Sequence, residues 1–199
     1  MSIRSSRISA LLALPLFTLL SPLVLAHTEE GVVGGFISGF LHPIYGPDHV
    51  VAMVAVGLWG AFLRNPAIWL LPVVFPLVMA FGGALGVIGV PLPAVEIGIA
   101  SSAIVLGLMV LLAVRPPLWV AAVLVGAFGI FHGHAHGTEL PDASNPLSYA
   151  IGFVLATGLM HLAGIAFGVL ADSPRGRLAV RSVGGLISAS GLYFLAGAI

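Results

Sequence analysis

The sequence predicts an all-α fold, a polytopic membrane helix bundle of six transmembrane helices after a signal peptide, with the first helix broken at Pro43 and Pro47. Three observations predict it. Hydrophobic residues make up 59% of the 199 positions and charged residues 7%, where soluble domains carry about 25% charge, and the mean hydropathy is +1.16. Apolar stretches close to the roughly 20 residues that a bilayer requires recur along the chain. The arginines between them fall in alternate loops.

Residues 1–26 read as a signal peptide. Arg4 and Arg7 precede an apolar run beginning at Ile8, and Val24-Leu25-Ala26 sets small residues before a cut, the usual order of a secretory signal. An uncleaved first helix is the alternative. The mature chain, 27–199, is then a single six-span domain.

The spans are expected at residues 32–63, 67–88, 92–114, 118–133, 147–171 and 183–198. The first is too long for a simple helix and has Pro43 and Pro47 in its middle, where each ring removes a backbone donor and strains the preceding turn. A kinked or broken first span follows. Arg64 comes after span one, Arg115 after span three, and Arg175, Arg177 and Arg181 between spans five and six. By the positive-inside rule those loops are cytoplasmic, and the mature N- and C-termini lie on the opposite face of the membrane. Glycines at four-residue spacing, such as Gly82 with Gly86, Gly129 with Gly133 and Gly164 with Gly168, let helix backbones approach closely.

Composition also excludes several functions. Seven basic residues, all Arg, balance seven acidic ones; with no basic tract, nucleic acid is not an expected partner. There is no Cys, so disulfides and thiolate metal sites are ruled out and any metal must be held by nitrogen and oxygen. No Lys is present, which removes the phosphate-binding lysine of a P-loop. The expected partners are a divalent metal ion and the lipid bilayer; a homo-oligomer is left open.

The polar residues of the spans carry the chemistry. An ionised Asp at mid-membrane costs about 2.5–3.5 kcal/mol on insertion scales, so Asp48, next to His49 and six residues after His42, calls for a compensating partner, such as a cation. On an unbroken helix His42 and His49 would stand about 10 Å apart along the axis, too far to share one ion; a break near the prolines would shorten that separation. The second constellation is Phe131-His132-Gly133-His134-Ala135-His136-Gly137-Thr138-Glu139. His132, His136 and Glu139 follow i, i+4, i+7 spacing, so a continued helix aligns them on one face and turns His134 away. Gly133 and Gly137 weaken that helix, and a solvated His-rich outer loop is the alternative. Glu96 near the start of span three reads either as an interfacial carboxylate or as a ligand. His161, alone, and Met53 read as packing residues.

Together the segments HPIYGPDHVVAMVAVGLWGA and FHGHAHGTELP resemble the HupE/UreJ family of bacterial nickel, and in some cases cobalt, permeases, over the whole mature chain. The larger nickel/cobalt transporter family has one fewer residue between the first His and the Asp, so this sequence is more similar to HupE/UreJ. The resemblance implies uptake of Ni²⁺ or Co²⁺ across the bacterial cytoplasmic membrane to supply hydrogenase or urease. The metal would be transported substrate, with no prosthetic group and no enzymatic activity. It also implies functional roles for His42, Asp48, His49, Glu96, His132, His136 and Glu139 as the metal path. Two other readings compete with transport: an intramembrane zinc-dependent hydrolase, although H-E-x-x-H is absent, and a metal-binding accessory or sensor protein that does not transport.

Overall fold

The computed structural model describes residues 35–140 and 145–199. The expected signal peptide lies outside the described residues. Among them every regular element is helical: α1 (Phe36–Tyr45), α2 (Pro47–Leu63), α3 (Ala67–Val87), α4 (Val95–Leu111), α5 (Leu118–Thr138), α6 (Pro146–Gly168), a short 3-10 turn (Val169–Asp172) and α7 (Pro174–Ala198).

The expected first span is two helices meeting at 87°. The break is narrower than the pair of prolines suggested. Pro43 sits inside α1 without ending it, and the only residue between the helices is Gly46, with φ −90° and ψ 97°. Pro47 accounts for this, because its ring disfavours helical conformation in the residue before it while suiting the first turn of a new helix, where its missing N–H would be unbonded anyway.

Helices α3, α5, α6 with its 3-10 extension, and α7 are each long and apolar enough to cross a bilayer, and α1 with α2 make a fifth such unit if taken as one broken span. Helix α4 is apolar but has 17 residues, about 25 Å at the helical rise, short of the hydrocarbon thickness of about 30 Å. Two ends depart from the expected boundaries. The fourth stretch, expected to stop near residue 133, continues as helix to Thr138, and the last, expected from residue 183, begins at Pro174.

Glycine weakens a helix in isolation, but packing reverses the argument in α5. An added Cβ on Gly133 would run into the carbonyl of Met79, and one on Gly137 into the carbonyl of Gly83. The absent side chains let α5 lie directly on α3, and that contact holds the helix through its weak positions. Asn145 and Ser173 start α6 and α7 by accepting from the backbone N–H groups of Ser148 and Gly176, each at 3.0 Å, and each precedes a proline in the first turn. Both are the N-cap chemistry that the residue types favour.

Helix α3 runs along α5, α4 along α7, and both α1 and α2 along α6. The core between them is apolar and fully buried at Met53, Leu58, Trp59, Leu71, Phe75, Leu106, Val110 and Val125. Met53 is thus a packing residue, as its sequence context suggested. The arginine loops gather at one end. Arg64 donates to Asp172 at 2.6 Å, Arg115 lies over the Phe62 ring at 4.8 Å, and Arg181 donates to the Leu111 carbonyl at 2.7 Å. Since α2 runs toward that end and α5 away from it, the start of α2 and the end of α5 meet at the arginine-free end.

Candidate metal centre

The sharp turn at Gly46 swings the first residues of α2 against α5. Asp48 and His49 occupy the first turn of α2. The Asp48 carboxylate accepts from the His49 backbone N–H at 2.9 Å and from its ring Nδ1 at the same distance. A carboxylate accepts only, so in the neutral ring the His49 proton sits on Nδ1 and the Nε2 lone pair is free. That Nε2 is buried with no hydrogen-bond partner among the described residues.

His132 is arranged the same way by a neutral partner. Ser102, on α4, donates its hydroxyl proton to the Ile99 carbonyl at 2.6 Å. It can therefore only accept from His132 Nε2, 2.9 Å away, which puts the proton on Nε2 and leaves Nδ1 bare. His132 Nδ1 is also buried and unpartnered. The His49 and His132 rings meet edge to face, with centroids 4.7 Å apart.

His136, one turn further along α5, joins the pieces. Its ring centroid lies 4.4 Å from that of His49 and 5.0 Å from that of His42. Its Nδ1 is 3.0 Å from His42 Nε2, and its Nε2 is a third buried nitrogen without a partner among the described residues. Each unpartnered buried group costs about 1–3 kcal/mol, so three in adjacent rings are an expense that a cation accepting their lone pairs would remove. A second group shares the same hub: His42, His136 and Glu139 each offer a ligand atom within 4.8 Å of the others. Adjacent ligands of one transition-metal ion stand about 3 Å apart. The remaining gap is small for Glu139, which is exposed at the end of α5 and free to rotate.

Partial burial of the Glu139 carboxyl raises its pKa; the charges of Glu96 and Asp48 add to this and His49 opposes it. Glu96 itself is exposed in the first turn of α4 and is not part of the three-residue group around Glu139. His134 points away as its position in the helix predicted, toward the Val90 carbonyl at 2.7 Å. His161 is buried on α6, apart from these ring contacts, edge-on to Phe75.

The geometry regroups the two constellations read from the sequence. His42, Asp48 and His49 were expected at one station and His132, His136 and Glu139 at another. The bend of 87° instead sends His42 to His136 and Glu139, and His49 to His132 and His136. Two contributors were missed. Ser102 is one of two adjacent hydroxyls, with Ser101, in an apolar span, and its only signal was its polarity. Phe75 packs edge-on to His132 at 5.4 Å and carries no signal that distinguishes it from other core aromatics.

Known proteins agree with the motifs. A family model described as HupE / UreJ protein matches residues 14–194. Protein HupE of Rhizobium leguminosarum bv. viciae is 42% identical over 174 residues, covering 87% of this chain and 91% of that relative. No solved structure matches. A motif pair, an all-helical membrane-type fold and a family match across most of the chain lead to one assignment: this protein belongs to the HupE/UreJ family.

Proposed function

We propose that the protein carries a divalent transition-metal cation across the bacterial cytoplasmic membrane, Ni²⁺ foremost and Co²⁺ second, supplying hydrogenase or urease. The observation that carries this reading is the set of three adjacent buried imidazole nitrogens, at His49, His132 and His136, that have no partner among the described residues. Imidazole with carboxylate suits both metals, and intrinsic affinity favours nickel over cobalt.

In this reading His42, His136 and Glu139 take the cation at the arginine-free end, with the negative charge of Glu96 nearby drawing it in. His136 then passes it to His49 and His132. Asp48 acts through His49, fixing its tautomer and ring orientation, the role that carboxylates play behind ligating histidines. The arginine loops are cytoplasmic, both mature termini are periplasmic, and α4 completes a sixth crossing. A membrane potential of about 100 mV, inside negative, would favour entry by roughly 2.3 kcal/mol per charge.

The test is Ni²⁺ uptake into sealed vesicles containing only this protein. Accumulation above protein-free vesicles supports transport. Ni²⁺ binding without accumulation would turn the assignment toward an accessory or sensor role.

A further inference from the structure

Two buried polar groups remain that the path described above does not use. Thr157 and His161 lie on α6 at i, i+4 spacing, which sets them one above the other on the same helix face. Thr157 is 1% exposed and His161 2%. Among the described residues neither the Thr157 hydroxyl nor His161 Nε2 has a hydrogen-bond partner. A Thr hydroxyl in a helix ordinarily bonds the carbonyl one turn back, and a lone packing His ordinarily finds a partner on a neighbouring helix. Two such omissions on one face mark a polar patch within the apolar core.

One aromatic ring links this patch to the His-rich cluster. The buried Phe75 ring contacts His132 edge-on at 5.4 Å and His161 edge-on at 5.7 Å. Depth orders the groups. His136 of α5 packs on Phe153 of α6 with ring centroids 4.7 Å apart; from that level His132 lies four residues back along α5 and His161 eight residues on along α6, about 6 Å and about 12 Å deeper at the helical rise. His161 is therefore nearer the arginine-lined end.

We propose that His161 and Thr157 form a second, deeper station for the transported cation, reached from the His49, His132 and His136 cluster past the ring of Phe75. The inference rests on the transport reading. One imidazole and one hydroxyl make a poor permanent site, and water would complete the coordination. That weakness suits the exit half of a path, where binding must be strong enough to draw the ion in and weak enough to let it go.

The experiment measures equilibrium Ni²⁺ binding and vesicle Ni²⁺ flux side by side on the full chain and on His161→Ala, His161→Gln and Thr157→Val. The expected result is wild-type binding, because the His-rich cluster is untouched, with flux falling about tenfold in His161→Ala and several-fold in Thr157→Val. His161→Gln retains size and hydrogen bonding but is a poor ligand, so it should remain as slow as His161→Ala. Wild-type flux in His161→Gln makes the residue structural and overturns the proposal. If His161→Ala does not fold, Thr157→Val, nearly unchanged in shape, decides alone, and normal flux there overturns it. Absence of flux in the wild type overturns the transport reading itself, and this inference with it.

Discussion

The Ser102 hydroxyl stands 2.9 Å from His132 Nε2 while its own proton is committed to the Ile99 carbonyl at 2.6 Å, so a serine on one helix determines which nitrogen of a histidine on another is free. The hydroxyl does not touch the proposed ligating atom, His132 Nδ1, yet it fixes the orientation and tautomer of that ring. Ser102→Ala should leave the bundle folded and weaken Ni²⁺ binding by about tenfold, the lower range for loss of a group behind a metal ligand. Titration calorimetry with Ni²⁺ checks this; unchanged affinity would mean that His132 does not bind through Nδ1.

Asp48 does for His49 what Ser102 does for His132, with a full charge. Asp48→Asn preserves shape but can offer its amide protons instead of accepting, which favours the wrong His49 tautomer. Uptake should drop by one to two orders of magnitude, about the 10–100-fold expected for such partners, while detergent-solubilised protein remains monodisperse. Wild-type uptake by Asp48→Asn would contradict the orienting role.

Protons and the cation compete for the same lone pairs. A protonated ring offers no lone pair to a metal. Uptake should therefore be greatest near neutrality and fall on acidification. Glu139, whose carboxyl is raised by partial burial, takes up its proton at higher pH than an ordinary carboxylate, so its share of the loss begins earlier on acidification. Ni²⁺ uptake that does not fall on acidification to about pH 4, below the ordinary range of carboxylates and imidazoles, would be incompatible with histidine ligands.

Gly133 joins α5 to α3 by having no side chain. In Gly133→Ala the new Cβ meets the Met79 carbonyl, which is backbone and cannot rotate aside. Overpacking of this kind costs about 1–3 kcal/mol, and because His132 and His136 flank the contact, binding should weaken together with thermal stability. A Tm equal to wild type in detergent would show that α5 approaches α3 less closely.

The sequence showed which residues belong to the candidate site more clearly than how they group. The break in the first span was legible from Pro43 and Pro47, and the common face of His132 and His136 from their spacing, because both are local properties of one segment. Pairing His42 with His136 and His49 with His132 depends on an angle of 87° at Gly46 and on how two helices dock against others, which no single segment encodes. Helical propensity misjudged the end of α5: Gly133 and Gly137 count against a helix in isolation and for it once α3 lies alongside. Ser102 escaped notice because a hydroxyl in an apolar helix most often bonds its own backbone, and its second bond, to His132, is visible only in three dimensions.

His136 stands at the junction of both ligand groups, so the most direct test of the account is initial-rate Ni²⁺ uptake into vesicles containing the wild-type protein or His136→Ala, with insertion and monodispersity checked for both. The account predicts accumulation by the wild type and a rate at the protein-free background for the variant. Uptake by His136→Ala at the wild-type rate would contradict a cation path built around this histidine.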